Sequence, residues 1–170
     1  MSERRLLGPG FPDDTGAADP DVRRALTSYA ADPALQAMQT GALAAVAGAR
    51  LLVPVVAVLG EVEVGEDGLA RDKTSDMAAV LLEGADGRLA MLAFTGSDAM
   101  AAWDPGARPV PVSATTAAQA ALQEHAAALV VDIAGPATYV LEGDDLVGVA
   151  SGWTLTRVGG RSAWLRPDGG

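Results

Sequence analysis

Asp132 and Thr95 each stand where an apolar run ends, in VVDIAGP at 130–136 and FTGSD at 94–98. A carboxylate at a strand end can bind a ligand or move a proton. A strand-to-helix turn such as Thr95-Gly96-Ser97 points N–H groups at a potential anion. Each also has a plainer reading, with Asp132 closing the turn that follows it and Thr95 or Ser97 capping the next helix. Lys73 is the single lysine among twelve basic residues, and Asp76 follows it three positions later. That pair fits a local salt bridge or loop anchor as readily as an activated amine. Arg108, between Trp103 and Pro109, can offer a guanidinium to an acidic ligand or stack on the tryptophan. Lys73, Asp76, Thr95, Trp103, Arg108 and Asp132 are therefore the binding candidates, and none of them carries a catalytic signature.

The remaining chemistry is thin. Nucleophilic catalysis needs a base beside an activated hydroxyl or thiol, and the chain offers one histidine, no cysteine and no G-x-S-x-G turn. His125 reads as lying on the apolar side of a helix near its C-terminal end, a structural place. Asp13-Asp14 and Asp144-Asp145 are adjacent acid pairs without a calcium-loop pattern, and neither glycine-rich phosphate motif occurs. No enzymatic activity, metal or cofactor is expected. The net charge of −10 works against nucleic acid and anionic membranes as partners. Residues 41–60 are nearly all apolar, yet Arg50 near their centre would cost about 2.5–3.5 kcal/mol in a bilayer. Gly48 and Pro54 break the helix there as well. No membrane span is expected, and the missing cysteines fit a reducing cytoplasm.

The elements that must position these residues follow from periodicity. Residues 1–20 are rich in Gly, Pro and Asp and predict a flexible arm. Val22, Ala25, Leu26 and Tyr29 recur at helical spacing, and Asp32-Pro33 ends that helix. A second helix over about 34–47 carries Leu35, Met38, Ala42 and Val46 as its stripe. A strand from about 50 to 58 follows, then a polar loop over 65–74. Residues 77–83 and 88–95 flank GADG and predict a hairpin at the centre of a sheet. Arg108–Val112 reads as an edge strand, because Pro109 and Pro111 cannot donate to a ladder. A helix over about 115–128, a buried strand over 129–133, a short strand over 138–141 and a helical turn at 144–150 complete the body. Residues 154–170 form a tail or a weak strand pair around Gly159-Gly160. This order predicts an α+β fold, a mixed sheet with helices packed mainly on one face.

Five phrases, RLLVPVVAVL, KTSDMA, DGRLAMLAFTG, AWDPGARPVPV and VVDIAGP, occur in an order and spacing that resemble the SseB-like family, specifically its N-terminal domain. The resemblance runs over about 11–153 and looks like a single-domain member of the type found in high-GC bacteria. It implies an α+β domain over 21–153, a cytoplasmic setting and no assigned catalytic residues. The expected function is a non-enzymatic binding or adaptor module acting on a protein partner or on itself. The alternative is a small-molecule site or weak enzyme linked to amino-acid, specifically serine, metabolism.

Overall fold

A computed structural model describes residues 10–58, 63–64, 70–71 and 76–168. Helix α1 (Pro20–Ala31) begins with a proline, whose missing N–H is no loss in the first turn. Asp19 caps it by accepting from the Asp21 N–H at 2.8 Å. The chain reverses at Asp32-Pro33, and α2 (Gln36–Ala47) returns with Thr40, Ala42, Leu43 and Val46 inward. The expected stripe is shifted, since Leu35 is the exposed N-cap and Leu43 takes the inner place. An alanine-rich helix is apolar nearly all round, so its sequence pattern marks the buried face poorly.

Strand β1 (Arg50–Val58) is the middle of a three-stranded antiparallel sheet, and a short pair, β2 (Glu63–Val64) with β3 (Ala70–Arg71), follows it. The loop expected over 65–74 lies largely outside the described residues. The neighbours of β1 are β4 (Asp76–Ala79) and, further along, β7 (Arg108–Ser113). The hairpin over Gly84–Gly87 forms between β5 (Leu81–Glu83) and β6 (Leu89–Ala93), but its first arm divides. Residues 76–79 join β1 and residues 81–83 join β6. Val80 is the crossing point, and its carbonyl accepts from the Leu92 N–H at 3.2 Å. Thus β6 lies inside its sheet while β5 forms the edge.

From β6 the chain passes through α3 (Ser97–Trp103), β7 and α4 (Ala114–Gln123) into β8 (Ala128–Val131), parallel to β6. Strand β9 (Tyr139–Glu142) completes the order β5-β6-β8-β9. Helix α5 (Gly143–Ala150) and the hairpin β10 (Thr154–Val158) with β11 (Arg161–Leu165) follow. Helices α1, α2, α4 and α5 cover one face around Met91, Leu129, Val131 and Leu141. α4 buries only alanines there, Ala114, Ala117, Ala118 and Ala121, which lets its backbone approach closely. On the opposite face α3 and β1 cover Leu92 and Phe94 with Leu52, Ala99 and Met100. This is an α+β fold with helices mainly on one face, and among the described residues no helix is long and apolar enough to cross a membrane.

Two local placements correct the sequence reading. His125 is outside α4, exposed, with φ 58°. It closes a left-handed helix ending in which the Ala126 N–H donates to the Ala121 carbonyl and its own N–H to that of Leu122. Neither Ser97 nor Thr95 caps α3, whose N-cap is Gly96 with no side-chain bond.

Candidate functional site

The parallel strands β6 and β8 end side by side, the place where α/β sheets commonly bind ligands. Thr95 and Asp132 meet there, 2% and 1% exposed. The Thr95 N–H donates to one Asp132 carboxylate oxygen at 2.8 Å and the Thr95 hydroxyl to the other at 2.7 Å. Burial holds the Asp132 carboxyl above the usual carboxylate range, against those two bonds and the nearby Arg23. Arg23, from α1, donates to the Thr95 hydroxyl oxygen at 3.0 Å and grips both oxygens of Asp98 at 2.5 and 3.0 Å. Asp98 is thereby held below the usual range. The Arg23 Nε is buried without a partner among the described residues.

A second arginine ties the N-terminal arm across this end of the sheet. Arg50 donates to the Thr95 carbonyl at 2.9 Å and to the Ala17 carbonyl at 2.5 Å, and pairs with Asp14 at 2.6 Å. The Ser97 N–H and hydroxyl both donate to the Gly16 carbonyl, at 2.7 and 3.1 Å. An added Cβ on Gly96 would stand 2.8 Å from the Ala18 nitrogen, so only glycine fits under the arm. The Ser97 N–H, offered by the sequence to an anion, is thus taken by the chain's own backbone. Every polar atom named at this end faces another protein atom, Arg23 Nε excepted.

The molecule has a contrasting region under its C-terminal hairpin. A cleft of about 480 Å³ opens between α1, α2, β9 and β11 and is walled by Tyr29, Gln39, Thr40, Tyr139, Asp145 and Arg161 among others. A second hollow of about 560 Å³ meets it at Asp145 and Ser162 and is walled by Asp144, Trp153, Trp164 and Arg166. Among the described residues no group of three or more acids and histidines could hold a metal ion.

The six sequence candidates separate. Thr95 and Asp132 come together as described. Trp103 is half-buried, its ring 5.6 Å from that of Phe94, and so is not an exposed apolar anchor. Arg108 is exposed on β7 opposite Val55, and its stacking on Trp103 is not among the cation contacts of the described residues, where Arg166 lies over Trp153 instead. The backbone of Asp76 opens β4 opposite Val58, while its side chain and the whole of Lys73 lie outside the described residues. Arg23, Arg50 and Asp98 were missed. Arg23 sits on what periodicity marks as the polar face of α1. Arg50 carried a signal, because an arginine amid an apolar run must find partners when the run is buried.

The family model for the SseB protein N-terminal domain matches residues 22–147. Comparison with curated proteins and with solved structures finds no match for the chain.

Proposed function

The chain belongs to the SseB N-terminal domain family, and from that premise we propose that it is a non-enzymatic, cytoplasmic protein-binding module that docks an amphipathic helix of a partner. One observation carries this reading. Helix α3 covers only part of the outer face of the four-stranded sheet. On the rest, Leu82, Ile133 and Val140 are 37%, 36% and 46% exposed beside Ala90 and Val130, along a groove of about 310 Å³. An open sheet face ordinarily alternates toward polar residues, and a contiguous apolar one marks an interaction surface. The rim holds Glu83 and Glu142, while Arg88 is turned to Asp86 at 2.6 Å and to Glu142 at 3.9 Å. Basic flanks on the incoming helix complement that rim, and a net charge of −10 works against a second copy.

The edge of β7 supports the reading less well. The Leu52 N–H donates to the Phe94 carbonyl at 2.7 Å and the Leu52 carbonyl accepts from the Phe94 N–H at 2.8 Å, so the Leu52–Pro111 pair is a non-hydrogen-bonded one. Pro111, and by the two-residue period Pro109, then occupy the outward donor positions, where an added strand would need N–H groups. The reading as a small-molecule site or weak enzyme of amino-acid metabolism has less support, since Thr95 and Asp132 satisfy each other.

The test compares the wild-type protein with Val140→Glu and Leu82→Glu. A partner bearing a basic-flanked amphipathic helix should bind the wild type directly, more weakly as salt rises, and be lost from both variants at unchanged melting temperature. Equal binding by wild type and variants would overturn the assignment. So would a wild-type dimer that these substitutions dissolve, which would make the occupant a second copy.

A further inference from the structure

The β10–β11 hairpin lies beyond the family-matched segment, yet it is firmly joined to it. The Trp164 indole N–H donates to Asp145 at 2.8 Å, and the Ser162 hydroxyl donates to the Thr40 hydroxyl at 3.1 Å. The Trp164 ring lies against Gly148, where any Cβ would collide with it. The hairpin thereby closes the two hollows that meet at Asp145 and Ser162. Of seven aromatic residues in the chain, Tyr29 and Tyr139 line the first hollow and Trp153 and Trp164 the second, so four π-faces gather along this groove of two adjoining hollows in an aromatic-poor protein. Glu142, Asp144 and Asp145 supply carboxylates along it. Tyr139 is only 7% exposed and lines the cleft, and its hydroxyl makes no hydrogen bond among the described residues. The ring is buried, while the hydroxyl is not among the buried atoms left without a partner; it opens into the cleft, where a ligand atom can meet it.

One cation already occupies the groove. The Arg166 guanidinium lies 4.4 Å from the centre of the Trp153 ring, inside the range of a cation–π contact, with Asp144 and Asp145 lining the same hollow. Arg166 is exposed and follows the last strand, so no sheet pairing fixes it there. We propose that the groove binds an arginine side chain presented by a peptide, and that Arg166 holds the site as a built-in stand-in for that ligand. The incoming guanidinium takes the Trp153 face and the Asp144 carboxylate when Arg166 leaves. Arg161, at the other end, makes no ion pair among the described residues and can take a backbone carbonyl of the same peptide. The open sheet face shares Val140 and Glu142 with this groove but Leu82 lies outside it, so Leu82→Glu is the variant that separates the two proposals.

The probe is arginine amide, followed by the indole N–H signals of the three tryptophans in a heteronuclear NMR titration. Those of Trp153 and Trp164 should move saturably while that of Trp103 stays still, and citrulline amide, the neutral isostere, should move none. Arg166→Ala removes the competitor and should tighten binding about three- to tenfold, while Asp144→Asn weakens it. Both residues are exposed, so neither change should alter melting. Equal response to citrulline amide, unchanged or weaker binding by Arg166→Ala, or no saturation in either protein would overturn the proposal.

Discussion

Two regions of this protein collect polar side chains, and they use them in opposite ways. At the ends of β6 and β8, Thr95, Asp132, Arg23, Asp98 and Arg50 bind one another and the arm. Under the C-terminal hairpin, Tyr139, Arg161 and one oxygen of Asp145 face open space. Topology alone favours the first region as a ligand site. Bonding capacity favours the second, because a ligand can be held only by groups whose hydrogen bonds are not already made, and of the side-chain atoms named in the first region Arg23 Nε alone is left so among the described residues. The first region is a structural lock in a place where other folds keep an active site.

The lock should break with the largest effect. Asp132→Ala leaves the Thr95 N–H and hydroxyl buried without an acceptor and places alanine at φ 54°. A loss of about 3 kcal/mol is expected, from two unsatisfied donors and an unfavourable backbone. Asp132→Asn should lose less, because asparagine tolerates that backbone and can still accept from the Thr95 N–H. Urea unfolding measures both. A loss below about 1 kcal/mol for the alanine variant would mean that water satisfies the pair and that the contrast between the regions is false.

The second pair of changes compares how each region is sealed. Gly148→Ala forces the Trp164 ring off α5 and should lower stability by about 1–3 kcal/mol through overpacking. Gly96→Ala meets the backbone of Ala18, a harder obstacle than a ring at the end of a side chain, so the arm has to move. Hydrogen exchange should then speed at the Ser97 amide in Gly96→Ala alone and at the Trp164 indole in Gly148→Ala alone. Faster exchange at both places in either variant would show one cooperative unit rather than two regions.

Much of this was legible in the sequence. The helix end at Asp32-Pro33, the edge placement of β7 and the hairpin over Gly84–Gly87 follow from proline and glycine chemistry, which acts locally. The candidates Thr95 and Asp132 were found separately, as residues ending apolar runs. Their pairing was not legible, because it depends on β6 and β8 being parallel neighbours with their ends in register. The division of residues 76–83 between two sheets left no mark either, since residues 77–82 run apolar straight through Val80 with no turn residue at the crossing. Arg23 was hidden by its position on α1, where helical spacing assigns it to solvent, although α3 comes to meet it. His125 was misplaced because alanines continue past the end of α4, and the left-handed closure is set by the return into β8.

Acid titration sharpens the contrast within the lock itself. The folded state raises the Asp132 pKa above 3.8 through burial, so it binds that proton more tightly than the unfolded chain does. Stability from this group is fully present below 3.8 and falls as pH rises through the folded value. Asp98 is shifted the other way by Arg23, and its contribution is present above 3.8 and lost as pH falls. That second contribution is small, because the Asp98 side chain is 66% exposed. Asp132→Asn should therefore flatten the decline of the unfolding free energy on the alkaline side of 3.8 and leave the acid limb in place. An unchanged alkaline slope would show that Asp132 is not the group whose proton the fold retains.

Tyr139→Phe should have the smallest effect on stability and the most to say about the comparison. The ring is buried, 5.4 Å from Tyr29 in an edge-on arrangement, and phenylalanine keeps both the burial and the ring contact. The hydroxyl is held in its neutral form, chiefly by burial and then by Asp145, and makes no hydrogen bond among the described residues. Its removal takes away a hydroxyl that opens into the cleft rather than a made bond within the protein, so unfolding should change by less than about 0.5 kcal/mol in either direction. A loss of 1 kcal/mol or more would mean that the hydroxyl is bonded in solution, and the cleft would then resemble the lock. A neutral result leaves Tyr139 with a hydroxyl open to the cleft and unused by the fold, beside the carboxylate that fixes Trp164.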